Sequence, residues 1–175
     1  MLSNFLAFQL GWLACVLGGA NGLPWMGTLV ALCLVAWHLW RSTDWQAELR
    51  LVLVACLVGA AWESLLTLQG WLVYPSGVLV TGTAPHWIVA MWALFATTLN
   101  ASLRWLQSRW WLAPLLGALA GPLAFYAGSR LGGVSFPDPP QALAVLALGW
   151  GVLTPLLVQL ARRYDGFRAP VAEAH

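Results

Sequence analysis

The sequence predicts an all-α membrane protein, a bundle of six transmembrane helices with both termini in the cytoplasm. Three observations carry this. Of 175 residues, 61% are hydrophobic and 8% charged, with a mean hydropathy of +0.76, whereas soluble domains hold about 25% charged residues. The chain divides into six apolar runs, each near the ~20 residues that a helix needs to cross a bilayer. All eight basic residues are Arg and fall between or just after those runs, where topology determinants sit. The expected organisation is one transmembrane domain over residues 1–163 and a polar cytoplasmic tail over 164–175.

The first run, Leu2 to Ala20, ends in Gly18-Gly19-Ala20 as a signal peptide would. No basic residue precedes Arg41, so it reads as a retained helix. Its face through Asn4, Ala7, Gly11, Cys15 and Gly18 is small or polar and suits close helix packing. Asn21-Gly22 marks a turn, and Pro24 opens the second run, about Leu23 to Trp40. His38 falls in its last turn, where a helix C-terminus and nearby water favour it. The third run starts near Leu49 and reaches Val73.

Residues 74–85 form a Pro- and Gly-punctuated loop with an apolar middle, expected to dip into the interface or to cap a cavity. The fourth run, His86 to Leu106, is followed by a short turn. The fifth, about Trp110 to Leu131, holds Gly117, Gly121 and Gly128, with Pro122 as a kink site. After a loop over 132–140, the sixth runs from about Gln141 to Ala161. With the N-terminus inside, seven Arg lie in the cytoplasm and only Arg130 lies outside. That bias follows the positive-inside rule and points to a multi-pass protein of the cytoplasmic membrane.

Several chemistries are excluded. A net charge of +2 without a basic, aromatic-interleaved patch gives no nucleic-acid surface. Cys15, Cys33 and Cys56 all fall inside apolar runs, so they read as core residues rather than a disulfide framework. Neither their spacing nor that of the His residues fits a metal, and no cofactor motif occurs.

Glu63 is the acid set deepest in an apolar segment. A charged side chain near the bilayer centre costs about 2.5–3.5 kcal/mol even on the lenient insertion scale, so it must face protein or water and be paired or protonated. It shares a small, polar stripe with Cys56, Gly59, Thr67 and Gly70. At 1.5 Å per residue it lies roughly 20 Å beyond Arg50, in the outer half of the membrane. His86, Tyr126 and Arg130 are expected at the same depth and are therefore its candidate partners. A second stripe through His86, Ala90, Ala93, Thr97, Asn100 and Arg104 descends the fourth helix. Asn4 meets Asn100 and Arg104 in depth, giving a candidate inner cluster. Trp12, Trp62, Trp92 and Trp150 sit deeper than the other indoles and are candidate cavity walls.

Asn4-Phe5 with Gly11-Trp12, Glu63-Ser64-Leu65-Leu66 with Gly70 and Tyr74-Pro75, and two further segments resemble an uncharacterised family of small bacterial inner-membrane proteins, a domain of unknown function. The further segments are WALFATTLNASLRWL over 92–106 and GALAGPLAFYAGSRLGG over 117–133. The similarity covers nearly the whole chain. In that family the helix-three acid is usually Asp, so Glu63 keeps the carboxylate with one more methylene. The resemblance implies a lipid-linked context, since genes of that family lie near those for fatty-acid-modifying methyltransferases, and no established activity.

Three function classes follow. The leading one is transport or handling of a small molecule or lipid through a polar intramembrane cavity centred on Glu63. A lipid-modifying enzyme would use Glu63 as acid or base with His86 or Tyr126, although no hydrolase or metalloenzyme motif is present. An accessory subunit would pack through Gly117 and Gly121 against a second copy or another membrane protein. Membrane lipid is the expected partner of all three.

Overall fold

A computed structural model describes residues 1–167; Arg168 and the rest of the expected tail lie outside the described residues. Six helices follow in order: α1 (Leu2–Ala20), α2 (Pro24–Arg41), α3 (Trp45–Leu68), α4 (His86–Leu99), α5 (Ala113–Arg130) and α6 (Pro139–Arg163). Two short 3-10 turns, Arg104–Gln107 and Trp110–Leu112, connect α4 to α5. The described residues contain no strand, only one antiparallel bridge between Val73 and Ser135 that joins two loops.

Local chemistry sets the ends. Asp44 caps α3 by accepting from Gln46 N and Ala47 N, both at 3.1 Å, so this helix begins four residues earlier than its apolar run. Asp138 caps α6 in the same way through Gln141 N at 3.2 Å, with Pro139 and Pro140 in the first turn. The fourth apolar run continues to Leu106, yet α4 stops at Leu99. The Thr97 and Thr98 hydroxyls turn back onto Leu94 O and Phe95 O at 2.7 and 2.6 Å, and the Asn100 side chain is committed to groups on α3 and beyond α6.

Among the described residues, four segments are long and apolar enough to cross a bilayer: α1, α3, residues 110–130 ending in α5, and α6. At 1.5 Å per residue α4 is only about 21 Å long, short of the ~30 Å hydrocarbon core. It is the central element instead. It packs against α1, α2, α3 and α6, and ten of its 14 residues are buried. α5 packs on α6, where a side chain at Gly117 or Gly121 would collide with Trp150 or Thr154. These two glycines are therefore used inside the molecule.

Six of the seven described Arg lie toward the end where α1 begins and α2 ends. Arg130 lies at the other end, beside the loop over residues 69–85. That loop turns inward: Leu72, Tyr74 and Ala84 are buried. The Ser76 hydroxyl donates to Gly19 O at 2.6 Å, and Trp87 Nε1 donates to Ser76 O at 3.0 Å, so the loop caps this end of the bundle.

Candidate functional site

Glu63 is fully buried, and both carboxylate oxygens accept from aromatic side chains. The Tyr74 hydroxyl donates to Oε2 at 2.8 Å and Trp92 Nε1 donates to Oε1 at 3.3 Å. Tyr74 comes from the capping loop. Burial, with the Glu63 carboxylate beside it, holds its phenol well above the ordinary value, so it remains a donor. Trp92 comes from α4, and its ring packs where a side chain at Gly59 would stand. That glycine lets the indole lie flat on α3, one turn below the acid.

Tyr74 and Trp92 are also walls of a crevice of about 80 Å³. Since a single water needs about 10–15 Å³ by this measure, the space takes a group of several heavy atoms. α1 supplies Phe8, Trp12 and Val16, α4 supplies Met91, Trp92 and Phe95, and α5 with α6 supply Phe125, Gly128 and Trp150. The Trp92 and Trp150 rings stack at 4.7 Å, and Phe95 stands edge-on to both. Trp150 Nε1 is buried without a hydrogen-bond partner. Of the four deep indoles, Trp12, Trp92 and Trp150 line the crevice, while Trp62 packs on Gly149.

The expected partners of Glu63 are elsewhere. Tyr126 and Arg130 lie on the exposed side of α5. His86 bonds Thr28 Oγ1 through Nδ1 at 2.7 Å and stacks on Trp25 at 4.0 Å, which ties the start of α4 to α2. Thr67 spends its hydroxyl on Glu63 O at 2.9 Å, within its own helix. A polar cavity centred on Glu63 is thus replaced by an apolar, aromatic crevice with the carboxylate directly behind its wall.

The inner cluster forms, with members that the sequence reading missed. Glu48 is fully buried at the start of α3. Its Oε2 meets His38 Nε2 at 2.9 Å, and its Oε1 accepts from Asn100 Nδ2 at 2.7 Å and Gly166 N at 2.8 Å. Asn100 also donates to Tyr164 O at 2.8 Å and accepts from Gln107 at 2.7 Å. Arg104 pairs with Asp165 at 2.6 Å. Residues 164–167, assigned above to the tail, therefore fold back onto α3 and α4. Asn4 donates to Thr97 O at 3.1 Å and accepts from the Ser102 hydroxyl at 2.8 Å.

A second cavity of about 500 Å³ opens here. Asn4, His38, Arg41, Asn100 and Arg104 are among its walls. Both cavities are lined by one face of α1, where Asn4 of the second and Phe8, Trp12 and Val16 of the first recur every four residues.

Among the described residues no group of three or more His, Cys, Asp or Glu could hold a metal ion. A family model described as "Protein of unknown function (DUF2878)" matches residues 1–156, and the chain belongs to that family. No curated protein and no solved structure matches it.

Proposed function

We propose that this member of a family of unknown function is a membrane carrier for a small amphipathic molecule or lipid. The molecule enters the aromatic crevice from the bilayer and passes along the α1–α4 seam to the cavity at the arginine-rich end. The arrangement of the two cavities supports this reading: an apolar one and a polar one are lined by successive turns of α1, with Phe8 in the first and Asn4 in the second. Asn4 is held in place by its bonds to Thr97 O and the Ser102 hydroxyl. The proposal includes a bacterial cytoplasmic membrane as the location, with the arginine-rich end inside.

The test uses a brominated alkyl alcohol, which quenches indole fluorescence on contact. Wild-type protein in detergent should show a saturable component of quenching from Trp92 and Trp150. Gly128→Leu should remove it, because Gly128 lines the crevice and an added Cβ meets nothing nearer than 3.9 Å. Equal quenching in a stable Gly128→Leu protein would reject the crevice as a binding site.

A second reading, a lipid-modifying enzyme, moves from Glu63 to the arginine-rich end. It is favoured by His38, whose Nε2 is held by Glu48 while Nδ1 has no hydrogen-bond partner among the described residues. An imidazole oriented by a carboxylate at the edge of a cavity is the arrangement of a general base.

A further inference from the structure

Resting on the crevice reading above, we infer that the crevice takes an organic cation, a quaternary or protonated ammonium group carried on a small apolar body, with Glu63 as its counter-charge.

The argument starts from charge. Five acids are described, and four sit at a helix N-terminus, beside an Arg or in a network of polar donors. Asp44 and Asp138 cap helix N-termini, Glu48 faces His38, and Asp165 faces Arg104. Glu63 has only the neutral donors Tyr74 and Trp92. Both are aimed at its oxygens, where they favour a negative charge. A carboxyl buried in this way becomes an anion only beside a cation, and none of the described side chains supplies one.

The aromatic wall supplies the second observation. Tyr74 and Trp92 touch Glu63 from one side and front the crevice on the other, and Trp87, Phe95, Phe125 and Trp150 continue that surface. The Tyr74 and Trp87 rings meet at right angles at 5.6 Å, while Trp92 and Trp150 stack. Such a wall offers ring faces in more than one direction. Electron-rich ring faces attract a poorly hydrated organic cation and exclude a small, strongly hydrated one. The indole and phenol that bond Glu63 are polarised by it, so the same two rings transmit the charge to the crevice.

The competing cationic groups are occupied or distant. Arg104 is paired with Asp165, Arg41 is exposed and lies over Trp37 at 5.0 Å, and Arg130 is exposed at the opposite end. None blocks Glu63.

Choline and its neutral isostere 3,3-dimethylbutan-1-ol have the same shape and differ by one charge. The alcohol partitions better into an apolar site, so a preference for choline requires electrostatics. Isothermal titration of the detergent-solubilised protein should show saturable choline binding at least tenfold tighter than that of the alcohol. Glu63→Gln should abolish the preference, and Glu63→Asp should keep it. Should Glu63→Gln fail to fold, the wild-type comparison alone decides. Equal binding of both probes, blocked by Gly128→Leu, would overturn the cation while leaving the crevice reading intact. Binding of neither probe, together with quenching unchanged by Gly128→Leu, would remove both.

Discussion

Glu48 and Glu63 lie on one face of α3, about 22 Å apart at 1.5 Å per residue, and both are fully buried. Val52, Ala55 and Gly59 complete the stripe between them. Their surroundings are opposite in kind. Glu48 meets His38, Asn100 and a backbone amide from beyond α6, so it ties four chain segments at the arginine-rich end. Glu63 meets a phenol and an indole that line the aromatic crevice. One helix thus carries a structural acid at one end and, at the other, an acid set behind an aromatic wall.

The structural acid should be costly to remove. Glu48→Ala leaves His38 and Asn100 buried without their acceptor, and breaking a buried pair from one side typically costs about 3–5 kcal/mol. His38→Asn should cost less, because Asn100 and Gly166 still hold the carboxylate. Thermal unfolding in detergent should rank the variants in that order, and the double variant should be less destabilised than the sum of the two singles.

Glu63 should behave differently under the same measurement. In Glu63→Gln the amide oxygen can accept from Trp92 while the amide group donates to the Tyr74 hydroxyl, so both neighbours stay satisfied. The midpoint should move little. Glu63→Leu orphans both donors, each costing about 1–3 kcal/mol when buried. Equal stability of the Gln and Leu variants would show that the two bonds are not formed.

Much of the architecture was legible because it depends on local pattern. The small-residue face of α1 through Asn4, Gly11, Cys15 and Gly18 is buried as its spacing required. The partners of Glu63 were not legible. Tyr126 and Arg130 lie off the buried face of α5, which runs through Gly121, Phe125 and Gly128. Those glycines were visible in the sequence and could have identified that face. Tyr74 was hidden in a loop whose inward turn depends on Gly19 and Ser64 of other helices. Glu48 was hidden because the apolar run starts at Leu49. Asp44 was the available signal, since a cap there places Glu48 inside the helix and on the Glu63 face.

The topology proposal has its own test. With the arginine-rich end in the cytoplasm, a cysteine introduced at the exposed Thr81 should react with a membrane-impermeant thiol reagent added outside intact cells, in a background lacking the native thiols. One introduced at the exposed Ser108 should react only after permeabilisation. The reverse pattern would invert the bundle.

Two glycines near the crevice predict opposite outcomes for the same change. At Gly59 the added methyl would collide with the Trp92 ring. The indole must leave its seat, and with it the bond to Glu63 Oε1. Overpacking of this kind costs about 1–3 kcal/mol, and the loss of the Trp92 donor adds to it. At Gly128 the nearest atoms to an added methyl are Val134 Cγ1 and Val16 Cγ2, both at 3.9 Å. That is ordinary contact, and exchanging Gly for Ala inside a helix gains up to about 1 kcal/mol from backbone entropy. Gly128→Ala should therefore melt at or above the wild-type temperature and Gly59→Ala clearly below it. Trp fluorescence separates the causes: a displaced Trp92 should shift its emission in Gly59→Ala, while Gly128→Ala should leave the spectrum unchanged. A Gly59→Ala protein with wild-type stability and spectrum would mean that Trp92 does not lie on α3, and the carboxylate behind the crevice wall would lose its indole donor.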